Sequence, residues 1–276
     1  LDGTGGDTTD DHGVLLRNGS VISSTKTTAG AGDIDFTGTG QGGIGSEGVR
    51  IVGTGTQVIS QIGAIEMIGS TQADEGVVIA NSAMVQSQGT GPSAATITIN
   101  GTSGDSGTAE GNNGVSVGNS ATVTSVDGAI QIDGDGTSGL HGVVMFNAAT
   151  VTSTGTTGEA ATITINGTSG GDAASNGVQL RESGTQVSSS DGAVQIIGDA
   201  SSGQVGVSLF QTASVQVTDA SLQVTGTGGG SNAGVRLSDM STGSLLSNGS
   251  GSVSVTALAG GITVGESSVI GGASAT

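Results

Sequence analysis

The sequence predicts an all-β chain folded as a parallel β-solenoid, and three observations carry that expectation. Glycine accounts for 55 of 276 residues, about 20% against a usual share of roughly 7%. A glycine followed by aliphatic residues at alternate positions recurs nine times. Longer strings repeat as well: ATITINGTSG runs from Ala95 to Gly104 and again from Ala161 to Gly170, and DGAIQIDGD from Asp127 is echoed by DGAVQIIGD from Asp191. Self-similarity at a period of some tens of residues is the mark of a stacked repeat architecture.

The nine unit glycines are Gly13, Gly48, Gly76, Gly114, Gly142, Gly177, Gly206, Gly234 and Gly261, spaced by 35, 28, 38, 28, 35, 29, 28 and 27 residues. One residue on stand Val14, Val49, Val77, Val115, Val143, Val178, Val207, Val235 and Ile262. Three residues on stand Leu16, Ile51, Ile79, Val117, Met145, Leu180, Leu209, Leu237 and Val264. All eighteen are aliphatic or Met. Between them lies a mixed set, Leu15, Arg50, Val78, Ser116, Val144, Gln179, Ser208, Arg236 and Thr263, which is expected to face solvent. The period is two, so each unit opens with a strand.

A corner follows. Seven residues after each glycine come Ser20, Gly55, Ala83, Ala121, Ala149, Gly184, Ala213, Ser241 and Ser268, small in every unit, with an aliphatic residue soon after. That predicts a tight turn into a second short strand. Five residues after the glycine come Asn18, Gly53, Asn81, Asn119, Asn147, Glu182, Gln211, Asp239 and Glu266, of which all but Gly53 carry a side chain that can hydrogen-bond backbone at a turn. Asn81, Asn119 and Asn147 would either stack as an amide ladder or serve as left-handed turn residues. A third strand carries the inward pairs Ile97 and Ile99, Ile130 and Ile132, Ile163 and Ile165, Val194 and Ile196, Leu222 and Val224, and Val253 and Val255.

Short strands of this kind bury nothing alone and gain a core and edge partners only by stacking. The expected architecture is a right-handed parallel β-helix with three strands per coil and about 28–38 residues per coil, rising about 4.8 Å per coil to a rod of about 40 Å. A β-sandwich is the alternative. Residues 1–12 read as an acidic, Gly-rich lead, and 13–276 as one solenoid of about nine coil starts whose last coil stops part-way. Extra residues in the longer units, Ser87 to Ala94 and Gly101 to Asn113, are expected to loop out.

Short parallel coils, richness in Gly, Ser, Thr and Asn, absent Cys and acidic charge together resemble the β-helical repeat regions of large bacterial surface proteins, the filamentous haemagglutinin-like and autotransporter-type adhesins. The resemblance is architectural and covers the chain from about Gly13 onward. It implies an extracellular, cell-surface location and a role as stalk, fibre subunit or adhesive scaffold, with host-surface or matrix glycans as partners.

Composition narrows the chemistry. With 5 Lys plus Arg against 23 Asp plus Glu, the net charge is 5 − 23 = −18, which gives no means of holding nucleic acid phosphates. Without Cys there is no thiol catalysis, disulfide or thiolate metal site. No apolar stretch approaches the length of a membrane-spanning helix. The chain begins at Leu1 without a Met or an apolar leader, so any secretion signal is expected to be removed or to lie outside this segment.

An acidic solenoid offers turn carboxylates to Ca²⁺, and the candidates are Asp33 with Asp35 and Asp133 with Asp135, with Asp7, Asp10 and Asp11 near the start. Solvated turn acids are the plainer reading. A polysaccharide-binding or polysaccharide-degrading β-helix is the second functional class, but Phe36, Phe146 and Phe210 are the only aromatics to platform a sugar ring. The expectation is therefore no enzyme. His12 and His141 each precede a unit glycine and read as turn positions. An ice-binding Thr ladder is a lesser alternative, because Thr96 and Thr98 and Thr162 and Thr164 alternate with Ala129 and Gln131 and Ala193 and Gln195. Asn18, Asn100, Asn166 and Asn248 each head an Asn-Gly-Ser/Thr acceptor sequence for glycosylation, although Asn-Gly is also the commonest tight-turn dipeptide. The partner expected from the fold is self, through end-to-end stacking or further coils of a longer array.

Overall fold

A computed structural model describes the chain except residues 44, 105–111, 137–139, 157–159, 171–174, 202, 238–242 and 273–276. Asp239, Ser241 and most of the Gly101 to Asn113 insertion therefore lie outside the described residues. The described chain is all-β, with twenty-seven strands in three nine-stranded sheets.

Sheet I holds β1 (Asp2–Thr4), β4 (Ile34–Gly40), β7 (Ile65–Thr71), β10 (Ile97–Thr102), β13 (Ile130–Gly136), β16 (Ile163–Ser169), β19 (Val194–Asp199), β22 (Leu222–Thr227) and β25 (Val253–Ala259). Sheet II holds β2 (Val14–Leu16), β5 (Val49–Val52), β8 (Val77–Ala80), β11 (Val115–Gly118), β14 (Val143–Phe146), β17 (Asn176–Arg181), β20 (Val205–Phe210), β23 (Val235–Leu237) and β26 (Ile262–Val264). Sheet III holds β3 (Val21–Ser24), β6 (Gln57–Ser60), β9 (Met84–Ser87), β12 (Thr122–Ser125), β15 (Thr150–Ser153), β18 (Gln186–Ser189), β21 (Ser214–Val217), β24 (Ser244–Ser247) and β27 (Val269–Gly272).

Neighbouring strands in each sheet are three apart in sequence order, and the pairings are parallel. That is a β-solenoid with three strands per coil, and it removes the β-sandwich alternative, whose strands would pair antiparallel in two sheets. The unit strands of the sequence are those of sheet II, followed in each coil by sheet III and then sheet I. Asp2–Thr4, inside the expected lead, pairs with Thr37–Thr39 as the first strand of sheet I. The ninth unit, from Gly261, contributes β26 and β27, which pair with β23 and β24.

The interior is a set of columns. Val115 lies between Val77 and Val143, and Val143 in turn lies beside Val178. Ile97, Ile130, Ile163 and Val194 stack likewise in sheet I, and Val85, Val123, Val151 and Val187 in sheet III. All are buried, in one continuous cluster that also holds Phe36 and Met67. Stacking gives each strand the partner it lacks alone, and each apolar side chain a lid above and a floor below.

One expectation about sheet II is corrected. The alternate residues do point away from the interior, yet Val78, Ser116, Val144, Gln179 and Ser208 are buried, with Val144 only 2% and Gln179 7% exposed. On the same face the register places Phe146 beside Gly118, where a side chain on the glycine would collide with the phenyl ring, and the Arg181 guanidinium sits 5.3 Å from the Phe146 ring centre. The end-coil members Leu15 and Thr263 remain exposed.

The corner from sheet II to sheet III is built as the sequence suggests. Asn81 and Ser82, Asn119 and Ser120, Asn147 and Ala148, and Gln211 and Thr212 all have positive φ between 51° and 67°. Each pair is spanned by a backbone bond such as Ala121 N–H to Gly118 carbonyl at 3.1 Å, so these are turns of the I′ kind. Asn tolerates the left-handed region better than most residues. Both readings of the Asn column therefore hold in part, because the Asn147 amide also donates to Asn119 Oδ1 at 2.7 Å.

Candidate functional site

The corner from sheet I to sheet II gathers the chain's unusual chemistry. At this corner the coil is pinched. Gly38, Gly69, Gly101, Gly134, Gly167, Gly198 and Gly226 form a register column in sheet I. They face the unit glycines of sheet II. A Cβ on Gly134 would collide with the Gly142 carbonyl oxygen, and one on Gly142 with the Thr168 amide nitrogen and the Gly167 backbone. Two backbones meet with no room for side chains, so both positions must be glycine. This explains a second misreading. Asn100-Gly101 and Asn166-Gly167 are not tight turns but the middles of β10 and β16, whereas Asn18 sits in a turn at φ 59° and Asn248 is exposed beyond β24.

The residue before the unit glycine forms its own column, and in the first six units it is His12, Glu47, Glu75, Asn113, His141 and Asn176. Its members are tied by backbone bonds from Gly13 N–H to Glu47 O at 3.0 Å, Gly48 N–H to Glu75 O at 3.2 Å, Gly76 N–H to Asn113 O at 3.1 Å and Gly114 N–H to His141 O at 2.9 Å. Both histidines belong to this corner, as the sequence indicates. The proximity of the carboxylates does not follow from the sequence reading, although their shared place before a unit glycine is visible there.

Glu47 is 2% exposed. Its carboxylate contacts His12 Nδ1 at 2.5 Å and the Arg50 guanidinium, which reaches back from three residues on. Asp74 is also buried and accepts the Gly45 backbone N–H. Glu47, Asp74 and Glu75 each present a carboxylate oxygen within 4.8 Å of the others. Burial, then hydrogen bonding to Asp74, then the charges of Asp74 and Glu47 push the Glu75 carboxyl up to about 10, so it holds its proton at neutral pH. Two coils further on, burial and then the Arg181 charge push His141 down to about 4, and its Nδ1 accepts the Asn176 N–H at 2.9 Å. A neutral imidazole in that role is a structural cap.

The predicted Ca²⁺ candidates lie elsewhere, on the outer face of sheet I. Asp133 and Asp135 sit at alternate positions of β13. Asp133 accepts the Asn166 amide at 2.6 Å and the Gln131 amide at 2.5 Å. Asp33 precedes β4 and accepts the Ala64 N–H at 2.8 Å, while Asp35 in β4 offers its backbone carbonyl to the Leu1 ammonium at 2.5 Å. The two pairs are not brought together, since β7 and β10 separate their strands. Around Asp133 and Asp135, Asn100, Thr102, Asn166 and Thr168 line a shallow open groove across three coils. Along the same face the Thr ladder is broken, with Thr98 and Thr164 on either side of Gln131.

Among the described residues no helix is long and apolar enough to cross a membrane. In comparisons with protein families, with curated proteins and with solved structures, nothing matched the chain.

Proposed function

We propose that the chain is a structural solenoid segment of an extracellular bacterial surface protein, a stalk or adhesive scaffold without catalysis. One observation carries this reading: a single apolar interior runs through about eight stacked coils, and the glycine-pinched corner repeats through the stack. Such a stack holds a surface at a distance and changes shape little under load, as a shaft requires. The charge of −18 keeps exposed shafts apart and soluble. The buried carboxylates at the pinched corner are tied up in ion pairs and a retained proton, which suits a structural fastening.

A second reading rests on the groove around Asp133 and Asp135. Its Asn, Thr and Asp side chains, repeated coil by coil, offer hydrogen-bond donors and acceptors to glycan hydroxyls, with Ca²⁺ as a bridging ligand for Asp133 and Asp135. Antibody raised to the chain should label intact source cells without permeabilisation. Labelling only after lysis would overturn the surface assignment. Glycan-array binding abolished by Asp133→Asn with Asp135→Asn would favour the second reading over a passive shaft.

A further inference from the structure

We propose that the groove around Asp133 and Asp135 is the middle of a longer row that takes a neutral, straight-chain polysaccharide lying along the stack axis, with Ile68 and Ile197 packed on its sugar faces at either end. This rests on the glycan reading of that groove and names the class of glycan.

The register of sheet I sets five residues in one line across consecutive coils: Ile68 beside Asn100, Asn100 beside Asp133, Asp133 beside Asn166, and Asn166 beside Ile197. The open groove lies over the middle three. At about 4.8 Å per coil the row from Ile68 to Ile197 is about 19 Å long. The two isoleucines are 41% and 37% exposed and belong to no part of the apolar interior, which those strands serve with Ile65 and Met67 and with Val194 and Ile196. Elsewhere the same column holds Thr37, Thr225 and Thr256. Isoleucine therefore stands outward in this column one coil before the groove and one coil after it, where the fold itself accepts threonine.

Three features select the occupant. Stacking in register puts equivalent residues directly above one another, so the row is straight and matches β-1,4-linked pyranoses, which run as a straight ribbon, rather than α-1,4-linked ones, which coil. The strands of sheet I carry Asp2, Asp35, Glu66, Asp133, Asp135 and Asp199 and neither Lys nor Arg. A uronate or sulfated chain is repelled there, whereas the hydroxyls of an uncharged sugar donate to carboxylates and accept from amides. Asp133 is already held by the Asn166 amide at 2.6 Å and the Gln131 amide at 2.5 Å, so the central acceptor is oriented before the ligand arrives. At the ends of the row, the aliphatic side chains cover the C–H faces of the rings, the task that aromatic residues perform in most sugar sites.

Calorimetry on the full chain tests this with four probes, each in Ca²⁺ and in EDTA: β-1,4-linked hexamers of glucose and of N-acetylglucosamine, an α-1,4-linked glucose hexamer, and a β-1,4-linked mannuronate hexamer. At least one neutral β-linked hexamer should bind at least about tenfold more tightly than the α-linked or the acidic one. Ile68→Thr with Ile197→Thr should weaken it about tenfold while melting temperature stays within about 2 °C. Unchanged affinity in that double variant, or equal binding of the α-linked or mannuronate hexamer in either buffer, overturns the proposal. So does a dimer seen by light scattering that the double variant dissolves, which assigns the row to a second copy. If neither neutral β-linked hexamer binds, the proposal falls. A glycan array still bound through Asp133 and Asp135 then leaves the glycan reading standing, and an empty array removes both.

Discussion

Val207 and Ile262 occupy the same column of sheet II, one in the middle of the stack and one in its last coil. Val207 is fully buried and Ile262 is 45% exposed. The two residues differ by one methylene and share the same local pattern, so the difference comes from the strand stacked on each side of Val207, where Ile262 has a described strand on one side only. Burial in this molecule belongs to the junction between coils, and stability is a sum of nearest-neighbour terms.

Substitutions at matched positions should break this symmetry most sharply. Val143→Asp places an unpaired charge between Val115 and Val178 and should cost about 4 kcal/mol or more, whereas Ile262→Asp should cost under about 1 kcal/mol. Thermal or denaturant unfolding of the two variants measures the gap. The pinched corner gives the next contrast. Gly134→Ala forces a Cβ into the Gly142 carbonyl and should cost about 3 kcal/mol, while Gly271→Ala, with open space around it, should cost a few tenths. Gln179→Asp introduces charge on the covered outer face of sheet II and should cost about 1 to 3 kcal/mol, against almost nothing for Thr263→Asp at the open end; urea midpoints would resolve the pair.

Titration probes the buried corner with two slopes of opposite sign. Glu75 ionises near 4.5 when unfolded and near 10 when folded, so its contribution is complete below 4.5 and is lost as pH rises towards 10. His141 moves the other way, from 6.5 down to about 4, so its contribution is present above 6.5 and is lost as pH falls to 4. Melting temperature against pH should flatten on the alkaline side in Glu75→Gln and on the acid side in His141→Asn, which keeps an acceptor for the Asn176 N–H. The smallest effect is expected at the amide pair: Asn147→Ala removes the bond to Asn119 and a residue suited to φ 51°, and should cost about 1 kcal/mol.

The strands and their columns were legible because a period of two and the recurring glycine leave few arrangements that bury every Val and Ile. The left-handed turns were legible from the Asn column for the same local reason. Three features were hidden. The glycines of sheet I, such as Gly101 and Gly167, look like turn residues after Asn, and only the approach of a second backbone shows why they are needed. The burial of outward residues of sheet II such as Val144 and Gln179 leaves no mark on the alternating pattern that sets the strand. Glu47 and Glu75 are 28 residues apart in the chain and adjacent in the stack, so the charge of Glu47 beside Glu75 is a property of coil spacing rather than of any motif.

Hydrogen exchange followed by mass spectrometry tests the nearest-neighbour claim most directly. It should be run in dilute, low-salt solution, where copies repel. The account predicts the strongest protection in the coils from β8 to β20, falling steeply through β25, β26 and β27. Equal protection in the last coil and the middle of a monomeric chain would contradict it.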